Sequence, residues 1–229
     1  MPIKAIIFDF DGLLLDTETP DFEIMSALYR EYGLELQHDR WLLGLGTHGG
    51  VDLYADLAAL TGRELDLNAL RRSSHELYLE RCRQQPLQPG VTALLDTLRE
   101  VGMPIAVASS SNREWVDGWL LQHAIRYRFV CVRTRDDVDR VKPAPDLFLS
   151  AADCLNISPT DCVVFEDSPN GIRAAAAAGM RCVAVPIRLN AALTLPPTTL
   201  RLRSIDELPP TELLARLDGS ARQGDTMTR

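Results

Sequence analysis

Lysine is nearly missing from this chain of 229 residues: of its 24 basic residues only Lys4 and Lys142 are lysines, and the other 22 are arginines. Across the chain this reads as codon bias. At position 142 it raises a further question, because a compact ammonium fits where a planar guanidinium fork does not. Positive charge is also short overall. The net charge of -8 supplies no basic face for nucleic acid or an anionic membrane surface, so neither is expected as a partner. No stretch approaches the roughly 20 apolar residues of a membrane-spanning helix. The first residues show neither a basic n-region nor a cleavage site, so no secretory leader is expected.

The five cysteines (Cys82, Cys131, Cys154, Cys162 and Cys182) contain no C-x-x-C pair. Neither a zinc site nor a disulfide framework is expected from them, and a reducing cytoplasm is the expected location. The four histidines (His38, His48, His75 and His123) lack H-x-x-x-H spacing, which leaves core or surface places for them. What is present is ordinary for a globular protein, with 46% hydrophobic and 24% charged residues. The length suits one large domain or a domain carrying an insertion.

Short apolar runs at 5–8, 105–109, 129–132, 162–166 and 182–185, with a weaker one at 200–205, read as buried strands. Helical patterns lie between them at 91–101, 113–123, 145–155 and 169–178. The last is punctuated by Ser168 as cap, Pro169 at the first turn and Gly179 after the alanine run. This alternation predicts an α/β fold, a Rossmann-like parallel sheet with helices on both faces. It has one gap. Between Asp16 and Pro89 only helical segments appear, at 21–32, 50–61 and 66–85. We therefore expect a core formed by 1–16 and 87–229, an inserted all-helical domain at 17–86, and a disordered tail from about 218 to 229.

The first strand ends oddly. "AIIF" should be buried on both faces, yet Asp9 and Asp11 follow at once. Other strand ends carry polar groups too: Ser109, Ser110, Ser111 and Asn112 after the second, Glu166 and Asp167 at the last long run, and Lys142 ahead of a helix. In a doubly wound sheet, ligands bind beyond the carboxyl ends of the strands. Two carboxylates about 4 Å apart repel by roughly 1–4 kcal/mol, so such a cluster calls for a hard cation, and oxygen donors suit Mg²⁺. Small hydroxyls before a helix N-terminus, with a lysine added, suit a phosphate. Together these groups can grip a phosphoryl group and leave one aspartate as nucleophile.

In this order, "DFDG" (9–12), "VASSSN" (107–112), "KPAPD" (142–146) and "FEDSPNGIRAAAAAG" (165–179) resemble the four motifs of the haloacid dehalogenase (HAD) superfamily. The closer resemblance is to its β-phosphoglucomutase-like phosphatase branch, with a helical cap inserted after the first motif. The resemblance implies a hydrolase acting on a phosphorylated small molecule, and a monomer is expected. It makes Asp9 the nucleophile and Asp11 the general acid and base. It implies a Mg²⁺ held by the Asp9 carboxylate, the Asp11 main-chain carbonyl and Asp167, with Glu166 in support. Ser109, Ser110 and Lys142 would hold the phosphoryl group, and Asp16 would serve the cap hinge. Thr47 and His48, in the glycine-rich "GLGTHGG" loop, are candidate substrate contacts from the cap.

Blander roles fit single residues: a D-x-D-G turn, a capping serine, a solvated loop lysine, and packing for Trp115 and Trp119. Four motifs in order weigh against them. Among alternatives, the sugar-phosphate mutases of this family carry a histidine where this chain has Asp21, and a cap arginine where it has Thr47. Both departures favour a phosphatase. A dehalogenase lacks the second aspartate. A phosphorylated receiver-type signalling protein has no helical insertion, and a catalytically dead binding protein would not need every expected group.

Overall fold

The computed structural model describes residues 2–43, 51–191 and 193–219. Six strands, β1 (Ala5–Phe8), β2 (Ile105–Ala108), β3 (Cys131–Arg133), β4 (Cys162–Glu166), β5 (Arg181–Ala184) and β6 (Leu200–Arg201), form a single parallel sheet in the order β3-β2-β1-β4-β5-β6. The order reverses direction beside β1, so β1 and β4 are neighbours and their carboxyl ends share one crevice. This adjacency puts the residues after Phe8 next to those after Phe165.

The helices in chain order are α1 (Glu18–Glu31), α2 (His38–Leu42), α3 (Leu53–Thr61), α4 (Leu67–Arg83), α5 (Val91–Glu100), α6 (Arg113–Gln122), α7 (Asp146–Leu155), α8 (Pro169–Ala177) and α9 (Pro210–Leu217). The central strands β1, β2 and β4 are buried along their whole length, on both faces, which is why their runs read as continuously apolar. Ile6 and Phe8 face a core shared with Leu94 of α5, Leu120 of α6 and Leu213 of α9. Ala5 and Ile7 face the opposite core, with Phe148 of α7 and Ile172 of α8. Small buried side chains at Ala174 and Ala175 pack on this second face.

Between β1 and α5 the chain forms only helices among the described residues. They enclose a core of their own, with Met25, Leu28, Tyr29, Trp41 and Leu57 buried. The Tyr29 hydroxyl, which must find a partner once its ring is buried, donates to the Leu53 carbonyl at 2.8 Å. The two strands of chain entering and leaving this insertion lie side by side. Leu15 pairs with Leu87, and the Gln88 N–H donates to the Leu14 carbonyl at 2.9 Å.

Four details depart from expectation. Helix α2 was not anticipated, because five residues are too short to show a helical period. Helix α9 was not anticipated either; Pro210 occupies its first turn, where its missing N–H costs nothing. Cys131 and Cys154 are disulfide-bonded, contrary to the expectation drawn from their scattered spacing. Packing of α7 against β3 brings their Cα atoms to 6.7 Å, and sequence spacing carries no trace of that contact. Asp218, placed in the expected tail, is ordered: its Oδ1 accepts the Ile3 N–H at 2.7 Å. The remainder of that tail, 220–229, lies outside the described residues.

Candidate active site

Asp9 follows β1, Glu166 ends β4 and Asp167 follows it, so the sheet order itself gathers three carboxylates. Their oxygens come within 4.8 Å of one another, and all three residues are buried. Lys142, only 1% exposed, reaches in from the loop before α7. Its ammonium donates to Asp9 Oδ1 and, at 2.7 Å, to Glu166 Oε1, and it sits 4.9 Å from the centre of the Phe148 ring. The other Glu166 oxygen accepts from the Ser168 N–H at 2.8 Å and its hydroxyl at 3.0 Å. Both Glu166 oxygens are therefore engaged.

The electrostatics follow from burial. Desolvation pushes Asp9 up to about 8 against the pull of Lys142, with Glu166 and Asp11 adding to the rise. Asp167 is raised well above the carboxylate range by burial, then by Glu166 and Asp9. Burial works against the Lys142 charge, but Asp9 and Glu166 outweigh it and hold the ammonium more firmly protonated than usual. One ammonium faces three carboxylates. The donors are all oxygen, and once ionised the three carboxylates outnumber the one ammonium; these residues fit Mg²⁺.

The Asp11 carboxylate does not join this cluster. Four donors fix it instead: Thr17 Oγ1 at 3.1 Å and Trp115 Nε1 at 2.8 Å on one oxygen, Ser109 Oγ at 3.1 Å and Ser111 Oγ at 2.6 Å on the other. The Ser109 hydroxyl also accepts the Ser111 N–H at 3.0 Å. Trp115 lies at the start of α6, whose cap is Asn112, and its ring stacks on Tyr78 of α4 with centroids 5.4 Å apart. Packing alone thus understates Trp115, which links the insertion to Asp11. Glu18, at the first turn of α1, is a further acid here; burial, then Asp11 and Asp21, raise it well above its usual range.

Two glycines make room for these acids. Gly12 adopts a positive φ of 78°, and a Cβ there would meet Asp167 Oδ2 at 2.5 Å. Gly171, in the first turn of α8, lies against Glu166 so closely that a Cβ would fall within its carboxylate. Gly171→Ala is expected to force Glu166 off Lys142 and to lower stability by about 1–3 kcal/mol. Urea unfolding of the two proteins side by side measures this.

Of the residues anticipated from sequence, Asp9, Lys142, Glu166 and Asp167 form one cluster, with Asp11 and Ser109 bonded to each other beside it. Ser110 is half-buried at the start of the loop after β2. Thr47 and His48 lie outside the described residues. Asp16 serves structure, its Oδ1 accepting the Thr19 N–H at 2.9 Å at the start of α1. Thr17 and Asn190 were not anticipated, and Ser111 and Trp115 were named without a role in the site. Ser111 lies inside the second motif and Trp115 three residues past it; Asn190 left no signal.

The sequence profile of the haloacid dehalogenase-like hydrolases matches residues 6–185. Among curated relatives, YhcW of Bacillus subtilis, provisionally named a phosphatase, is 39% identical over 216 residues, covering 94% of this chain and 98% of its own. The fructose-1-phosphate phosphatase YqaB of Escherichia coli is 34% identical over 186 residues, covering 79% and 95%. Among solved structures, CbbY of Rhodobacter sphaeroides in complex with xylulose-(1,5)bisphosphate superposes with a TM-score of 0.70 at 25% identity, over 90% of this chain and 96% of that one.

Proposed function

The chain belongs to the haloacid dehalogenase-like hydrolases, as an enzyme of the phosphoric monoester hydrolase kind, and from that premise we propose that it is a Mg²⁺-dependent phosphatase acting on a small sugar- or nucleotide-type phosphomonoester through an aspartyl-phosphate on Asp9. The observation that carries this reading is the convergence of Asp9, Glu166, Asp167 and Lys142, with Asp11 held by four donors two residues along.

In this reading an Asp9 oxygen attacks phosphorus, and the bond to the leaving oxygen breaks as Asp11 gives that oxygen its proton. Asp11 then takes a proton from the water that attacks the aspartyl-phosphate, releasing inorganic phosphate and restoring Asp9. Lys142 and the Ser109 and Ser110 hydroxyls hold the phosphoryl oxygens. The cation would be held by Asp9, Asp167 and the Asp11 carbonyl, with Glu166 acting indirectly because both its oxygens are engaged. When bound, Mg²⁺ supplies positive charge that offsets the phosphoryl oxygens and the nucleophile.

Residues 17–86 act as a cap that excludes water and receives the alcohol portion. A cavity of about 520 Å³ between α1 and α4, lined by Asp21, Tyr54, Arg71, His75 and Tyr78, suits a small leaving group. Asp21, at the place of the mutase histidine, accepts from Trp41 Nε1 at 2.7 Å, which supports hydrolysis over transfer to a second hydroxyl.

A panel of phosphorylated metabolites, with Mg²⁺ and then with chelator, tests the reading. Phosphate release from at least one sugar or nucleotide ester, lost on chelation, is expected. Undiminished release under chelation, or an isomerised phosphate in place of free phosphate, overturns it. Stability should respond as well. A carboxyl raised to about 8 in the folded chain favours folding at pH 4 and loses that contribution as pH rises to 8. The chelated protein is therefore expected to melt lower at pH 8 than at pH 5.5, and Mg²⁺ to raise the melting temperature more at pH 8.

A further inference from the structure

Asn190, in the loop between β5 and β6, belongs to none of the motifs, yet it is completely buried. Its Nδ2 donates to the Asp167 main-chain oxygen at 2.9 Å and lies 3.5 Å from Asp167 Oδ2. A carbonyl only accepts, so the amide nitrogen must face Asp167, and this fixes which way the side chain points. Asn190 Oδ1 is then a buried acceptor with no donor among the described residues. Beside a carboxylate cluster, such an acceptor suits a water of the cation's own shell, which Mg²⁺ characteristically keeps.

The neighbouring residue points the other way. Leu189 packs against the core of the helical insertion. Leu42 and Leu43 of the insertion share a cavity of about 330 Å³ with Pro169 and Asn170 of α8 and with Leu193 and Thr194, which follow Asn190 in the chain. The loop around Asn190 is thus seated between the insertion and the segment that begins at Asp167.

We propose that Asn190 is a positioning residue for Asp167, holding it in register for a divalent cation, and that Leu189 ties this hold to the seating of the insertion. The inference rests on the cation reading given above. Calorimetric titration of the full chain with Mg²⁺ alone separates the two. Asp167→Asn should abolish the binding. Asn190→Leu keeps the volume without the amide and should weaken Mg²⁺ affinity about 10–100-fold, as loss of an outer partner of a metal ligand does. Leu189→Ala, which trims the contact with the insertion and leaves the amide of Asn190 in place, should weaken it at least about threefold.

Wild-type affinity, within about twofold, in Asn190→Leu would overturn the positioning role; should that variant fail to fold, Asn190→Ser, which also lacks the amide, decides by the same measure. Unchanged affinity in Leu189→Ala overturns the link to the insertion. Absence of any Mg²⁺ binding by the wild-type chain sinks the cation reading and this inference together.

Discussion

Asp9→Asn is expected to cut turnover of an aryl phosphate by about four orders of magnitude or more, because an amide is not a competent nucleophile toward phosphorus. The fold should survive, since the substitution is isosteric and Glu166 still accepts from Lys142 at 2.7 Å. A circular dichroism spectrum matching wild type, alongside steady-state kinetics, makes the test clean. Turnover at the wild-type rate would show that Asp9 is not the nucleophile. Asp11→Asn should behave differently. Its loss should be larger for alkyl esters than for aryl esters, whose leaving oxygens need no proton. Equal losses would remove Asp11 from the acid role.

Lys142 carries the second large effect. Lys142→Ala leaves Asp9, Glu166 and Asp167 buried without their ammonium, and breaking such a pair costs about 3–5 kcal/mol. Lys142→Arg keeps the charge but has no room for a planar fork, since the side chain is 1% exposed and lies against the Phe148 ring. Overpacking of about 1–3 kcal/mol is expected, with kcat/KM down about 100-fold or more as the phosphoryl donor is misplaced. Thermal melts read the first quantity and initial rates the second. An arginine variant with full activity would reduce the lone interior lysine to an accident of codon usage.

These two residues were legible before any coordinates. An apolar strand ending in Asp9 and Asp11 contradicts its own hydrophobicity, and Lys142 contradicts the composition of the chain around it. Residues that break a local rule are the ones function explains. Trp115 was less accessible, because an indole at helical spacing from Trp119 satisfies packing without further cause; only its 2.8 Å bond to Asp11 reveals a second role. Gly171 was similar. Nothing in "SPNG" says that a glutamate five residues earlier will press against it.

Local chemistry therefore determined most of the elements and the class of site: continuous apolar runs gave strands, caps and alanines gave α8, and acids at strand ends pointed to a cation and a phosphate. Those signals are short-ranged, so they survive in a one-dimensional string. Tertiary structure alone decided which acids meet. The order β3-β2-β1-β4-β5-β6 sets Asp9 beside Glu166 and Asp167, turns Asp11 toward Ser111 and Trp115, joins Cys131 to Cys154, and lays Asn190 on Asp167. Contacts between residues far apart in the chain depend on how whole layers pack, and a sequence records each partner without recording the pairing.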